Sequence, residues 1–233
     1  MEHLTHEICA HSAANVPVSG NPTLSTNPFF TVAIEYNLEP YEVLTYLGIN
    51  TETDRTETKV WTWKRFGQTC TVLPDGRKIY IGGEYDDWYR TCFPFYFSVK
   101  SVPMYMDCRY DPQFFIFNDV VVYLPQSQSY ELYRYPTDVF PPTDNHTATL
   151  LGDSIWIVGN CGYPQDRGHI TPIYRLELDT LAIKKVEVSG DNPGWIYEHA
   201  AEATADDVIE ITHEAGVWEV DVSQRKWTKT GGT

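Results

Sequence analysis

The sequence predicts an all-β chain built from repeated four-stranded antiparallel units. Three observations carry that expectation. A strand–turn–strand phrase recurs three times, at residues 65–85, 141–162 and 193–221. Aromatic residues make up 14% of the chain, with 16 Tyr and 7 Trp, and flat side chains suit strands. Fifteen Gly and fifteen Pro are spread along the 233 residues, as many short elements and turns require.

The middle copy reads HTATLLGDSIWIVGN, residues 146–160. It gives an extended run, a Gly152-Asp153 turn, an apolar second strand and a close on Gly159-Asn160. Upstream, Gln68 aligns with His146, Pro74 to Arg77 form the turn, and Gly82-Gly83 close the second strand. The alignment needs a gap of one residue in the turn. It also places Tyr80 opposite Trp156, so both are expected to be buried. Downstream, His199 aligns with His146, and Thr212-His213 replace the glycine pair. The intervals are 53 and 78 residues, and a period near 50 fits a radial repeat once residues 86–115 count as an insert.

A third strand follows each pair, at 118–125, 171–179 and 215–222, and a fourth at 129–136, 182–190 and 224–230. Alternation in YRLELD and VWEVDV gives each of these strands one buried face. Nearer the N-terminus, 29–36, 41–48 and 58–65 are read as strands of a further unit, although 38–47 tolerates a short helix equally. Residues 1–28 lack periodicity and are expected to form an irregular arm. The expected organisation is therefore that arm and one β domain over 29–230. Its units are 29–65, 66–136 with the insert 86–115, 137–190 and 191–230.

These repeats resemble kelch repeats: a first strand opening on His, a Gly-Asp turn, an apolar second strand, a Gly pair, then Tyr- and Trp-bearing outer strands. The resemblance covers roughly residues 58–230, and some stretches are similar to uncharacterised kelch-like proteins of bacteria and fungi. It implies a kelch-type β-propeller or partial propeller of three to four blades, fewer than the six or seven usual in the family. A ring left incomplete would be an open fan or would close as a homodimer. Gly82, Gly83 and Gly159 are then structural, letting the chain pass where a Cβ would clash. Trp156 fills the gap between blades. His146 and His199 are structural too, each expected to bond the backbone of a neighbouring blade.

Composition excludes several functions. The net charge of −15 repels phosphate backbones and anionic membrane surfaces, so neither nucleic acid nor membrane is an expected partner. Five unclustered cysteines and the absence of a signal-like N-terminus point to a cytoplasmic chain with reduced thiols. His6 and His11 are one residue too far apart for a helical zinc pair, and no metal or cofactor is expected. A nucleophile elbow, phosphate loop and dinucleotide fingerprint are all missing.

Two loops that leave equivalent strands are the candidate binding surface, expected on one face. One carries Glu84, Tyr85, Asp86, Asp87 and Trp88; the other carries Tyr163, Asp166, Arg167 and His169. Aromatics beside carboxylates suit a protein or peptide contact. The expected function is a protein-interaction module. The alternative is an enzyme of lyase, isomerase or specifier type at a propeller mouth, for which no catalytic residue is assigned.

Overall fold

The computed structural model describes residues 4–49, 59–86 and 114–232. Strands dominate it, with sixteen among the described residues against three short α-helices. The single domain expected over 29–230 is corrected to two compact units. The first takes Met1–Pro17, Thr26–Phe66 and Glu84–Phe115; the second takes Val18–Ser25, Gly67–Gly83 and Ile116–Thr233.

In the first unit two segments read as strands are helices. These are α2 (Pro28–Glu35) and α3 (Pro40–Tyr46); α1 (His6–Cys9) precedes them. The cause is local. Pro28 and Pro40 occupy first-turn positions, where a missing N–H costs nothing. The Asn27 side chain accepts from the Phe29 N–H at 2.9 Å. Glu39 and Glu42 form a reciprocal capping box. Phe29, Phe30 and Ala33 form the buried stripe of α2, with Val43 and Leu44 on α3.

Residues 59–65, from the strand expected over 58–65, make only an isolated bridge between Val60 and Ala13. Val60, Trp61 and Thr62 are buried in succession, not in alternation. The Thr62 hydroxyl donates to the Leu38 carbonyl at 2.9 Å, and Phe30 meets Trp61 edge-on at 4.9 Å. The irregular arm is corrected as well, because it contains α1 and β1 (Thr23–Leu24). Most of the expected insert, residues 87–113, lies outside the described residues. Its flanks, β4 (Glu84–Tyr85) and β5 (Phe115–Ile116), pair with each other.

The second unit holds three sheets. The first is a meander of β2 (Thr69–Val72), β3 (Lys78–Ile81), β6 (Asp119–Leu124) and β7 (Ser129–Arg134), with β1 added antiparallel to β7. The second runs β8 (Thr147–Leu151), β9 (Ser154–Val158), β10 (Ile173–Glu177) and β11 (Ile183–Lys185). The third runs β13 (Ala200–Ala205), β14 (Val208–His213), β15 (Gly216–Asp221) and β16 (Lys226–Gly231), with β12 (Ser189–Gly190) added parallel to β16. Each sheet is thus the expected four-stranded antiparallel meander, and two gain a further strand. No sheet closes on itself.

The middle sheet is buried on both faces, which is why β9 is apolar at nearly every position. Ile155 and Ile157 pack with Ile79, Ile81, Val120 and Val122 of the first sheet. Trp156 and Val158 pack with Ile209, Ile211, Trp218 and Trp227 of the third. Register corrects the expected equivalence of Tyr80 and Trp156. Thr69 pairs with Ile81 just as Thr147 pairs with Val158, so Trp156 corresponds to Ile79 and Tyr80 to Ile157. A slip of one residue turns a side chain to the other face. Tyr80 accordingly faces away from the second sheet and is half-buried, whereas Trp156 is buried.

The first strands β2, β8 and β13 lie side by side, with β8 between the others. The same bonds recur along this edge. Asn145 N–H donates to the Gly67 carbonyl and Glu198 N–H to the Asn145 carbonyl, both at 2.9 Å. Gly67, Asn145 and Glu198 share a left-handed backbone, with φ of 60°, 50° and 53°. His146 Nε2 meets the Thr69 hydroxyl at 2.9 Å, and His199 Nε2 meets the Thr147 hydroxyl at 3.0 Å. The two histidines therefore bond a threonine side chain of the preceding sheet, not the expected backbone.

Both imidazoles are held neutral. Burial, reinforced by His199, pushes His146 down to about 3; burial, reinforced by His213, pushes His199 down to about 4. An unfolded histidine titrates near 6.5, so below that pH the unfolded chain takes up protons that the folded chain refuses. Stability is complete above pH 6.5 and falls as pH drops towards 4. At pH 5 the expected loss is about 2 kcal/mol for each histidine. Urea denaturation at pH 7 and pH 5 checks this against a His146→Gln/His199→Gln variant, glutamine being the residue at the matching position 68. An equal loss in both proteins would show that the histidines are not held neutral.

Candidate functional site

The phrase TDNH joins GNCG through a buried carboxylate. Asp144 is fully buried, and its Oδ1 accepts from the Gly162 N–H at 2.7 Å. Its Oδ2 accepts from Asn145 Nδ2, also at 2.7 Å. Burial raises the Asp144 pKa, against the lowering effect of those donors and of Arg167. Asn160 completes the clamp. Its Oδ1 accepts from the Asp144 N–H at 3.0 Å and its Nδ2 donates to the Pro142 carbonyl at 2.9 Å. Both polar atoms of this amide thus bond neighbouring backbone.

Beside this clamp lies an open cleft of about 450 Å³ in the second unit. Pro141, Pro142, Tyr174 and Trp195 give it apolar walls, and Asp166, His169, Lys185 and Glu187 stand among its lining residues. The cleft has a rigid back. Tyr174 packs edge-on against Phe140 at 5.3 Å, and burial followed by nearby Glu187 pushes its phenol up to about 12. Opposite, residues 192–195 are tied to Thr171: its N–H donates to Asn192 Oδ1 at 3.1 Å and its hydroxyl donates to the Gly194 carbonyl. Gly168 lies against the Trp195 ring, where an added Cβ would be 3.5 Å from Cζ3. Ile170 is 62% exposed on the lining and adds apolar surface to it.

The candidate residues divide between the two units. Glu84 and Asp86 are half-buried and Tyr85 is buried, all in the first unit. Asp87 and Trp88 lie outside the described residues. Tyr163, Asp166, Arg167 and His169 belong to the second unit. Asp166 and His169 line the cleft, whereas the other two brace the loop. The Tyr163 hydroxyl accepts from the Ile116 N–H at 3.0 Å. Arg167 Nε donates to the Cys161 carbonyl at 2.7 Å, its Nη2 meets Cys161 Sγ at 3.0 Å, and its guanidinium covers the Tyr197 ring. The structural set has firm contacts: a Cβ on Gly159 would lie 2.6 Å from both His199 Cε1 and the Ile196 carbonyl oxygen, and Gly83 N–H donates to the Thr143 carbonyl at 2.8 Å.

No protein-family model and no curated protein matches the chain. Solved structures do. One described as "Structure of YjhT" aligns with a TM-score of 0.52 and 13% identity, over 71% of this chain and 55% of that one. The likeness is one of fold. This chain spans little more than half the length of that structure, so nothing about activity passes between them. Among the described residues no helix is long and apolar enough to cross a membrane, and no three His, Cys, Asp or Glu side chains are grouped to hold a metal ion.

Sequence reasoning missed Pro141, Pro142, Tyr174, Lys185, Glu187 and Trp195. They come from four separate segments of the chain.

Proposed function

We propose that the chain is a kelch-type interaction module, a partial β-propeller of three blades that holds a protein or peptide segment in the cleft beside Trp195. The observation that carries this reading is the cleft itself: apolar walls, a mixed-charge rim and an exposed isoleucine at its edge. A volume of about 450 Å³ matches one or two side chains of a partner. The propeller reading is supported by the bonds repeated along β2, β8 and β13, which join successive sheets in the same way. Glu202, Glu210 and Glu219 stand in register across the outer face of the third sheet. Like charges directly opposite disfavour stacking another sheet there.

A peptide-display selection on the purified protein tests the module. Enriched peptides are expected to bind wild type at least tenfold more tightly than Ile170→Asp or Trp195→Ala, with circular dichroism unchanged. Binders indifferent to both substitutions would place the contact surface elsewhere.

A further inference from the structure

We infer that the cleft selects an extended peptide with one large apolar side chain followed or preceded by lysine or arginine; this rests on the interaction reading above. The apolar half of the motif follows from Trp195, the two prolines and exposed Ile170. The cationic half follows from the accounts of the charges around the rim. Lys185 and Glu187 satisfy each other at 3.1 Å. Arg167 is turned into its own loop, donating to Cys161 and Gly162. His169 is exposed and forms no ion pair among the described residues. Asp166 remains, exposed on the lining and likewise without an ion pair among the described residues. An anchored peptide thus meets one uncompensated carboxylate, and the chain's charge of −15 adds long-range attraction for cations. An acidic residue at the same place would be repelled, so the site discriminates by sign as well as by size.

An array of decapeptides tests this, carrying every pair of residues at the two central positions between Gly-Ser flanks, probed with the full-length protein. Pairs of a large apolar residue with Lys or Arg should retain at least tenfold more protein than the same residue with Glu. Asp166→Asn should bring that ratio within about twofold of unity while keeping the apolar preference. A wild type without cationic preference, or a preference unchanged in Asp166→Asn, overturns this inference; an apolar preference lost in Ile170→Asp would still uphold the cleft. If no pair holds wild type above background, both readings fall together.

Discussion

Replacing Trp156 with alanine should destabilise the second unit by about 3–5 kcal/mol. The indole is 8% exposed and fills the space between the second and third sheets, against Ile209, Ile211, Trp218 and Val220. Its neighbours are held in β-ladders and cannot collapse into the void, which puts the cost at the upper part of the large-to-small range. Arg175 lies over the ring at 6.0 Å and would lose that partner too. Tyr80→Ala is the contrast. Tyr80 lies on the other face of its sheet and is half-buried, so about 1–2 kcal/mol is expected. Urea denaturation of both variants measures the difference. A cost below about 1 kcal/mol for Trp156→Ala would mean that the second and third sheets do not pack as described.

That contrast marks how far the sequence could be read. Turn residues punctuated the strands well: Pro74-Asp75-Gly76, Gly152-Asp153 and Asp206-Asp207 all close hairpins between first and second strands. Facing was harder, because the longer first turn hides which residue of β3 matches which of β9, and period-two patterning makes every slip a reversal. At α2 the strand reading is wrong, and at α3 the helix kept as an alternative is the one that forms, because Phe, Val and Tyr favour strands by propensity. The decisive signals were at their starts, where Asn27 and Glu39 are the N-caps and Pro28 and Pro40 the first helical residues. The cleft was legible only through Asp166 and His169. Its other walls lie up to 54 residues apart in sequence, from Pro141 to Trp195, and nothing in a linear pattern says that they meet.

The repeat also has two kinds of end. Threonine and histidine link the first sheet to the second and the second to the third. The next link would need a hydroxyl at position 200, which is alanine, and an imidazole at position 68, which is glutamine. The glycine that closes the second strand stops at the same boundary, since His213 of the third sheet occupies the place of Gly159. These substitutions accompany the row of carboxylates, Glu202, Glu210 and Glu219, that stands across that sheet.

Gly82→Ala should cost at least about 3 kcal/mol, and Gly152→Ala about 1 kcal/mol. The two glycines have nearly the same backbone, φ +56° and +58°, so the intrinsic cost of giving each a Cβ is alike. Their surroundings differ completely. An added Cβ at Gly152 meets nothing within 4 Å. At Gly82 it would stand 2.1 Å from the Thr143 carbonyl oxygen and 3.2 Å from its carbon. That oxygen cannot retreat, because it accepts from the Gly83 N–H at 2.8 Å, and the Thr143 N–H donates to the Phe117 carbonyl at 3.0 Å. Alanine must therefore break the bond that carries the chain from the first sheet to the start of the second. The difference between the two variants isolates this close approach from backbone strain. Denaturant midpoints of Gly82→Ala and Gly152→Ala, measured side by side, decide it: if the two fall together, the passage between the sheets is looser than the structure shows.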